Sequence, residues 1–153
     1  MRKIYFLTLV FIFTLSFTAC GKNTEEILVF QSKLNTAIMK IESLHNELNS
    51  IDATSPNAAS TALNRLSDLN DAFDTLANID ITDENFMYIA GLADEGAEYM
   101  SQAYELFEKA YGQEDFDEET ADLAYKYLER ATTRVRVIVT MLHGEVPEGV
   151  IVH

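Results

Sequence analysis

Four stretches of the chain repeat apolar residues at alternating steps of three and four, and this pattern limits the fold more than any other feature. The first carries Ile27, Phe30, Leu34, Ala37, Ile41, Leu44, Leu48 and Ile51. The second carries Ala59, Ala62, Leu66, Leu69, Phe73 and Leu76. The third carries Phe86, Ala90, Ala93, Ala97, Met100, Tyr104, Phe107 and Tyr111. The fourth carries Ala121, Ala124, Leu128, Ala131, Val135, Ile138 and Leu142. Such spacing places one apolar stripe along a helix, and each stripe reads as a seam of a and d positions. Helix-start chemistry precedes each run. Thr24 with Glu25 and Glu26 suits a positive helix end, and Ser55-Pro56 reads as a cap followed by proline in the first turn. Thr82-Asp83-Glu84 and Asp117-Glu118-Glu119 open the third and fourth, and Gly144 reads as the stop after the fourth. The breaks, near 52–55, 78–82 and 112–116, are short enough to force sequential helices antiparallel. The expected fold class is all-α, an up-down-up-down four-helix bundle over residues 24–144. The alanines of the third and fourth segments allow that pair to approach closely.

Charge narrows the partners. The 153 residues hold 11 Lys and Arg against 25 Asp and Glu, a formal net of −14. Nucleic acid needs a cationic surface and is not an expected partner. The 48% hydrophobic and 24% charged composition is that of a folded globular chain. A single Cys excludes an internal disulfide framework and a thiolate metal cluster.

Residues 1–20, MRKIYFLTLVFIFTLSFTAC, have three parts. Arg2 and Lys3 give a positive start, Ile4 to Leu15 runs almost wholly apolar, and small residues lead to Cys20. That is the layout of a secretory signal. The apolar run is about a dozen residues, short of the roughly 20 that span a bilayer. Phe17-Thr18-Ala19-Cys20 resembles the lipobox of bacterial lipoproteins, although the family usually has Leu where Phe17 stands. The resemblance implies cleavage between Ala19 and Cys20, a diacylglycerol on the Cys20 sulfur and acylation of the new amino terminus. It implies a membrane partner held through that anchor, and it covers no more than this segment. Two or three acyl chains meet the requirement for stable anchoring. Gly21 follows Cys20 rather than Asp, which by the same resemblance argues for the outer membrane if the cell is Gram-negative, facing the periplasm or the surface. The expected organisation is a cleaved signal at 1–19, a lipidated Cys and linker at 20–23, the bundle at 24–144 and a tail at 145–153. Without Arg2 and Lys3 the 11 basic residues fall to 9 against 25 acidic ones, a net of −16.

Catalytic and metal chemistry finds little support. Glu42-Ser43-Leu44-His45 is a Glu-x-x-His of the kind that supplies half of a di-iron site, but no second copy exists. Asp115, Asp117, Glu118 and Glu119 are spaced like calcium ligands. Counted from Asp115, however, Thr120 and Lys126 fall where an EF-hand needs Gly and Glu, so helix capping is the expected role. No phosphate loop or local Ser/His motif is present. No enzyme activity, cofactor or metal is expected.

The candidate interaction surface lies on the third segment. If its a and d positions face inward, Tyr88, Leu92 and Tyr99 face outward beside Gly91 and Gly96. Exposed aromatics beside small residues suit an interface core, for a partner protein or a second copy of the bundle. The competing expectation is that this helix buries a stripe wider than an a/d seam, as globular helices often do. Lys126, Arg130 and Arg134 form a four-spaced basic ridge that is compatible with clamping an anionic ligand, although such a ridge more often pairs with acidic neighbours, here for example Glu129 or Asp122. Acids at the start of the fourth segment and arginines in its second half are the arrangement the helix dipole favours. Pro147 and Gly149 end any helix in the tail. Val150-Ile151-Val152 there is compatible with a fold back onto the bundle, a flexible end or a partner-binding strand. The expected role is a non-enzymatic interaction or accessory module of the cell envelope, the alternative a small-ligand or cation-binding lipoprotein.

Overall fold

The computed structural model describes residues 24–81, 86–112 and 116–143. The signal segment with Ala19 and Cys20, the Thr82-Asp83-Glu84 lead-in, Asp115, Gly144 and the tail lie outside the described residues. Four helices follow one another: α1 Thr24–Asn49, α2 Ala58–Ala77, α3 Met87–Tyr111 and α4 Glu118–Leu142. Among the described residues there is no strand.

Contacts between helix ends fix an up-down-up-down course. Glu47 at the end of α1 pairs with Arg65 near the start of α2 at 3.0 Å. The Phe30 ring, early in α1, lies 5.1 Å from that of Phe86, which caps the start of α3. Phe107 near the end of α3 meets Tyr125 near the start of α4 edge-on at 4.9 Å. The helices pair in sequence, α1 on α2, α2 on α3 and α3 on α4, and the α3–α4 pairing is the most extensive. Alanines make that approach possible. Ala93, Ala97, Ala103 and Ala110 on α3, and Ala121, Ala124 and Ala131 on α4, are all buried. One core joins all four helices, with Phe73, Phe107, Leu34, Leu44, Leu69 and Met100 among its fully buried side chains. α1 and α4 make no comparably close backbone approach, so a groove remains between them.

Two expectations are corrected. α2 starts at Ala58 with Asn57 as its cap, not at Ser55-Pro56. The Asp52 carboxylate accepts from the Thr54 amide at 2.9 Å and its hydroxyl at 2.7 Å. Successive backbone bonds from Ser55 to Asp52 and from Ala58 to Ser55 then hold Pro56 in a turn. An Asp side chain that bonds two residues onward stabilises a turn at the expense of a helix start. The second correction concerns α3, which buries Ile89, Leu92 and Gly96 beyond the seam read from its sequence. Its extensive pairing with α4, added to its contact with α2, is the reason. α3 must cover α2 on one side and α4 on the other, which needs a broad stripe.

Candidate functional site

Of the residues singled out in the sequence, Tyr99 of α3 meets Arg130 and Arg134 of the basic ridge of α4. Leu92 is not part of an outward face. It is only 7% exposed and belongs to the core. Tyr88 and Tyr99 are half-buried and pack against that core. They stand eleven residues apart, roughly 16 Å along the helix, so they do not form one compact patch.

Tyr99 instead forms a ledge with residues of α4. Its ring lies 6.2 Å from that of Tyr127. The Arg130 guanidinium sits over both rings, 5.8 Å from the Tyr99 centroid and 5.3 Å from the Tyr127 centroid. Arg134 lies over Tyr99 at 5.5 Å, and its Nε donates to Glu95. The helical spacing builds this arrangement. Glu95 and Tyr99 are one turn apart on α3, while Tyr127, Arg130 and Arg134 follow at three and four on α4, so neighbouring side chains share a face. The ridge therefore pairs with neither Glu129 nor Asp122. Arg134 reaches across the seam to Glu95. Among the described residues Arg130 meets no carboxylate and is held by aromatic faces alone. Cation–π contacts of this kind contribute about 0.5–1 kcal/mol at exposed sites. They hold the guanidinium in place while its fork of donors stays able to take a carboxylate from outside. Tyr127 and Glu95 were missed in the sequence, although each stands three or four residues from a residue that was named.

Gly96 shows what draws the helices together. A Cβ there would lie 3.3 Å from Phe73 Cε1 and 3.5 Å from Arg134 Cβ. The close approach comes from α2 and α4, within the bundle itself. Gly91 faces open space, with nothing within 4 Å of an added Cβ.

Two grooves flank α1. The one shared with α4, of about 230 Å³, is lined by Ile41, Glu42, His45, Thr132, Val135 and Arg136, among others. Burial pushes the Glu42 carboxyl up. Burial and, secondarily, the Arg136 charge push the His45 imidazole down. The Thr132 hydroxyl is turned back onto its own helix, donating to the Leu128 carbonyl at 3.0 Å. The other groove, open and about 970 Å³, lies between α1 and α2 and mixes Lys33 and Lys40 with Asp68, Asp71, Asp74 and Asp80. Among the described residues no group of three His, Cys, Asp or Glu could hold a metal. Asp117 caps α4, accepting from the Thr120 amide at 3.0 Å and its hydroxyl at 2.7 Å, and these bonds hold its carboxyl below the usual range.

No helix among the described residues is long and apolar enough to cross a membrane. Comparison with known proteins finds no family model, no curated protein and no solved structure that matches this chain.

Proposed function

We propose that the chain is a membrane-anchored bacterial lipoprotein, acylated at Cys20, whose helical bundle is a non-enzymatic interaction module of the cell envelope. The observation that carries the interaction role is Arg130, held over the rings of Tyr99 and Tyr127 with no carboxylate of the described residues to satisfy it. Tyr and Arg are the residues most enriched where binding energy concentrates in interfaces. An exposed guanidinium already pre-positioned over two rings loses little freedom when a partner's carboxylate arrives. The net charge of −16 left after loss of Arg2 and Lys3, 9 basic against 25 acidic residues, makes this a local exception on an acidic body, which suits selective docking over general attraction of anions. Anchored at Cys20, α1 would carry its far end roughly 40 Å from the bilayer at 1.5 Å per residue, with the ledge about midway.

Crosslinking in the native envelope followed by mass spectrometry tests the role. The wild-type chain is expected to give protein adducts near Tyr99 and Tyr127 that Arg130→Ala loses with its melting temperature unchanged. Identical adducts from both chains would overturn it. A second reading, a small-ligand lipoprotein, is favoured by the α1–α4 groove of about 230 Å³, where apolar walls surround His45 and Arg136. A ligand retained by the purified chain and lost on Val135→Phe would favour it.

A further inference from the structure

The bundle end from which the anchor would leave exposes large apolar side chains. Leu28 is 59% exposed, Val29 50% and Met87 58%. Leu28 and Val29 lie within the first two turns of α1, and Met87 is the first residue of α3. The Phe30–Phe86 contact at 5.1 Å places both helix starts at the same end. Ile79 and Ile81, just beyond α2, are half-buried against the same core. Exposed apolar side chains grouped together call for a cover; Phe116, Leu123 and Tyr125 form a similar group at the far end, and it is the anchor that singles this end out.

The length of the connection identifies that cover. Three residues, Gly21, Lys22 and Asn23, separate Cys20 from Thr24. Four Cα steps of 3.8 Å span about 15 Å at most. Leu28 and Val29 lie a further 6–8 Å or so along α1 at 1.5 Å per residue. A lipid on Cys20 therefore keeps these side chains within roughly 23 Å of the bilayer surface, close enough for them to reach the headgroup layer. Glu25, Glu26 and Asp80 are exposed at this end and argue against an anionic surface.

We propose that Leu28, Val29 and Met87 insert into the interfacial layer of a zwitterionic bilayer, so that the bundle stands on the membrane through its own side chains as well as through its anchor. This rests on the lipoprotein reading. It adds a surface of the folded domain, which fixes the bundle's orientation as two or three acyl chains alone would not.

The test uses the mature acylated chain in phosphatidylcholine–phosphatidylethanolamine vesicles. Lipidation consumes the thiol of Cys20, so a cysteine placed at Leu28→Cys, Met87→Cys or, at the far end, Leu123→Cys takes a polarity-sensitive fluorophore alone. Intact mass first establishes acylation of each sample. The labels at 28 and 87 are expected to emit further to the blue on vesicles and to lose emission to doxyl lipids, while the label at 123 stays as in water. Acylated, vesicle-bound chain with water-like labels at 28 and 87 overturns the docking and leaves the anchor standing. The same blue shift without vesicles also overturns it, because residues 144–153 or a second copy would then be the cover. An unacylated chain overturns the anchor reading and the inference together.

Discussion

Gly91 and Gly96 lie five residues apart in α3, and replacing each with alanine has opposite consequences. Alanine in a helix interior is favoured over glycine by about 1 kcal/mol, mainly because glycine loses more backbone freedom on folding. At Gly91 nothing lies within 4 Å of the new methyl group. Gly91→Ala should therefore keep the whole gain of about 1 kcal/mol, a rise of roughly 3–5 °C in melting temperature for a domain of this size. At Gly96 the same methyl would sit 3.3 Å and 3.4 Å from two atoms of the Phe73 ring. Carbon pairs are most favourable at about 3.5–4.0 Å. The ring is fully buried and cannot swing aside, and the third neighbour, Arg134 Cβ at 3.5 Å, is fixed to the α4 backbone. Overpacking of a filled core costs about 1–3 kcal/mol. The cost outweighs the propensity gain, so Gly96→Ala should be less stable than the parent by about 1 kcal/mol and less stable than Gly91→Ala by about 2 kcal/mol. Urea unfolding followed by far-ultraviolet circular dichroism measures both. Equal stabilisation by the two substitutions would refute the claim that the three-helix contact at Gly96 is tightly packed.

Phe73→Ala removes a fully buried ring from the centre of the core and should cost about 3–5 kcal/mol, read as a lowered urea midpoint. Tyr99→Ser should lower the melting temperature modestly and abolish any Arg130-dependent crosslink; Tyr88→Ser should lower it and leave that crosslink intact. Asp117→Ala should lower the melting temperature at pH 7, and less so in strong acid. The folded pKa of Asp117 is depressed, so its contribution is present above the normal carboxylate range and lost as pH falls through the folded value. His45 is also depressed, so the unfolded chain binds its proton first and stability falls as pH drops below about 6.5. Glu42, on the same groove, is raised and opposes this at lower pH. His45→Gln should accordingly flatten the melting temperature between pH 7 and 5, and an unchanged slope would contradict the burial of this imidazole.

The α4 stripe is nearly complete in the sequence. Its seven apolar positions are all buried, with Thr132 the one addition. α4 packs chiefly on one neighbour, α3, and a narrow period describes such a helix well. α3 was harder to read because its extensive pairing with α4, added to its contact with α2, widens its stripe, and sequence spacing alone does not show how much of a helix a neighbour covers. Leu92 was misplaced for that reason. The ledge was legible only in halves. Tyr99 and the Lys126-Arg130-Arg134 ridge could each be named, but which arginine finds Glu95 depends on how α3 and α4 are rotated against each other, and that is set by the alanine seam and Gly96. The Asp52–Thr54 turn displaced the start of α2 because a local side-chain bond won over the proline signal.

We propose above all that this acidic bundle is tethered to a bilayer through Cys20. Intact-mass analysis of the chain purified from its native envelope, beside Cys20→Ser, tests it directly. The expected product is a polypeptide that begins at Cys20 and carries a diacylglycerol and an amide-linked acyl chain, with neither lipid on the variant. A chain that retains Met1 and carries no fatty acid would contradict it.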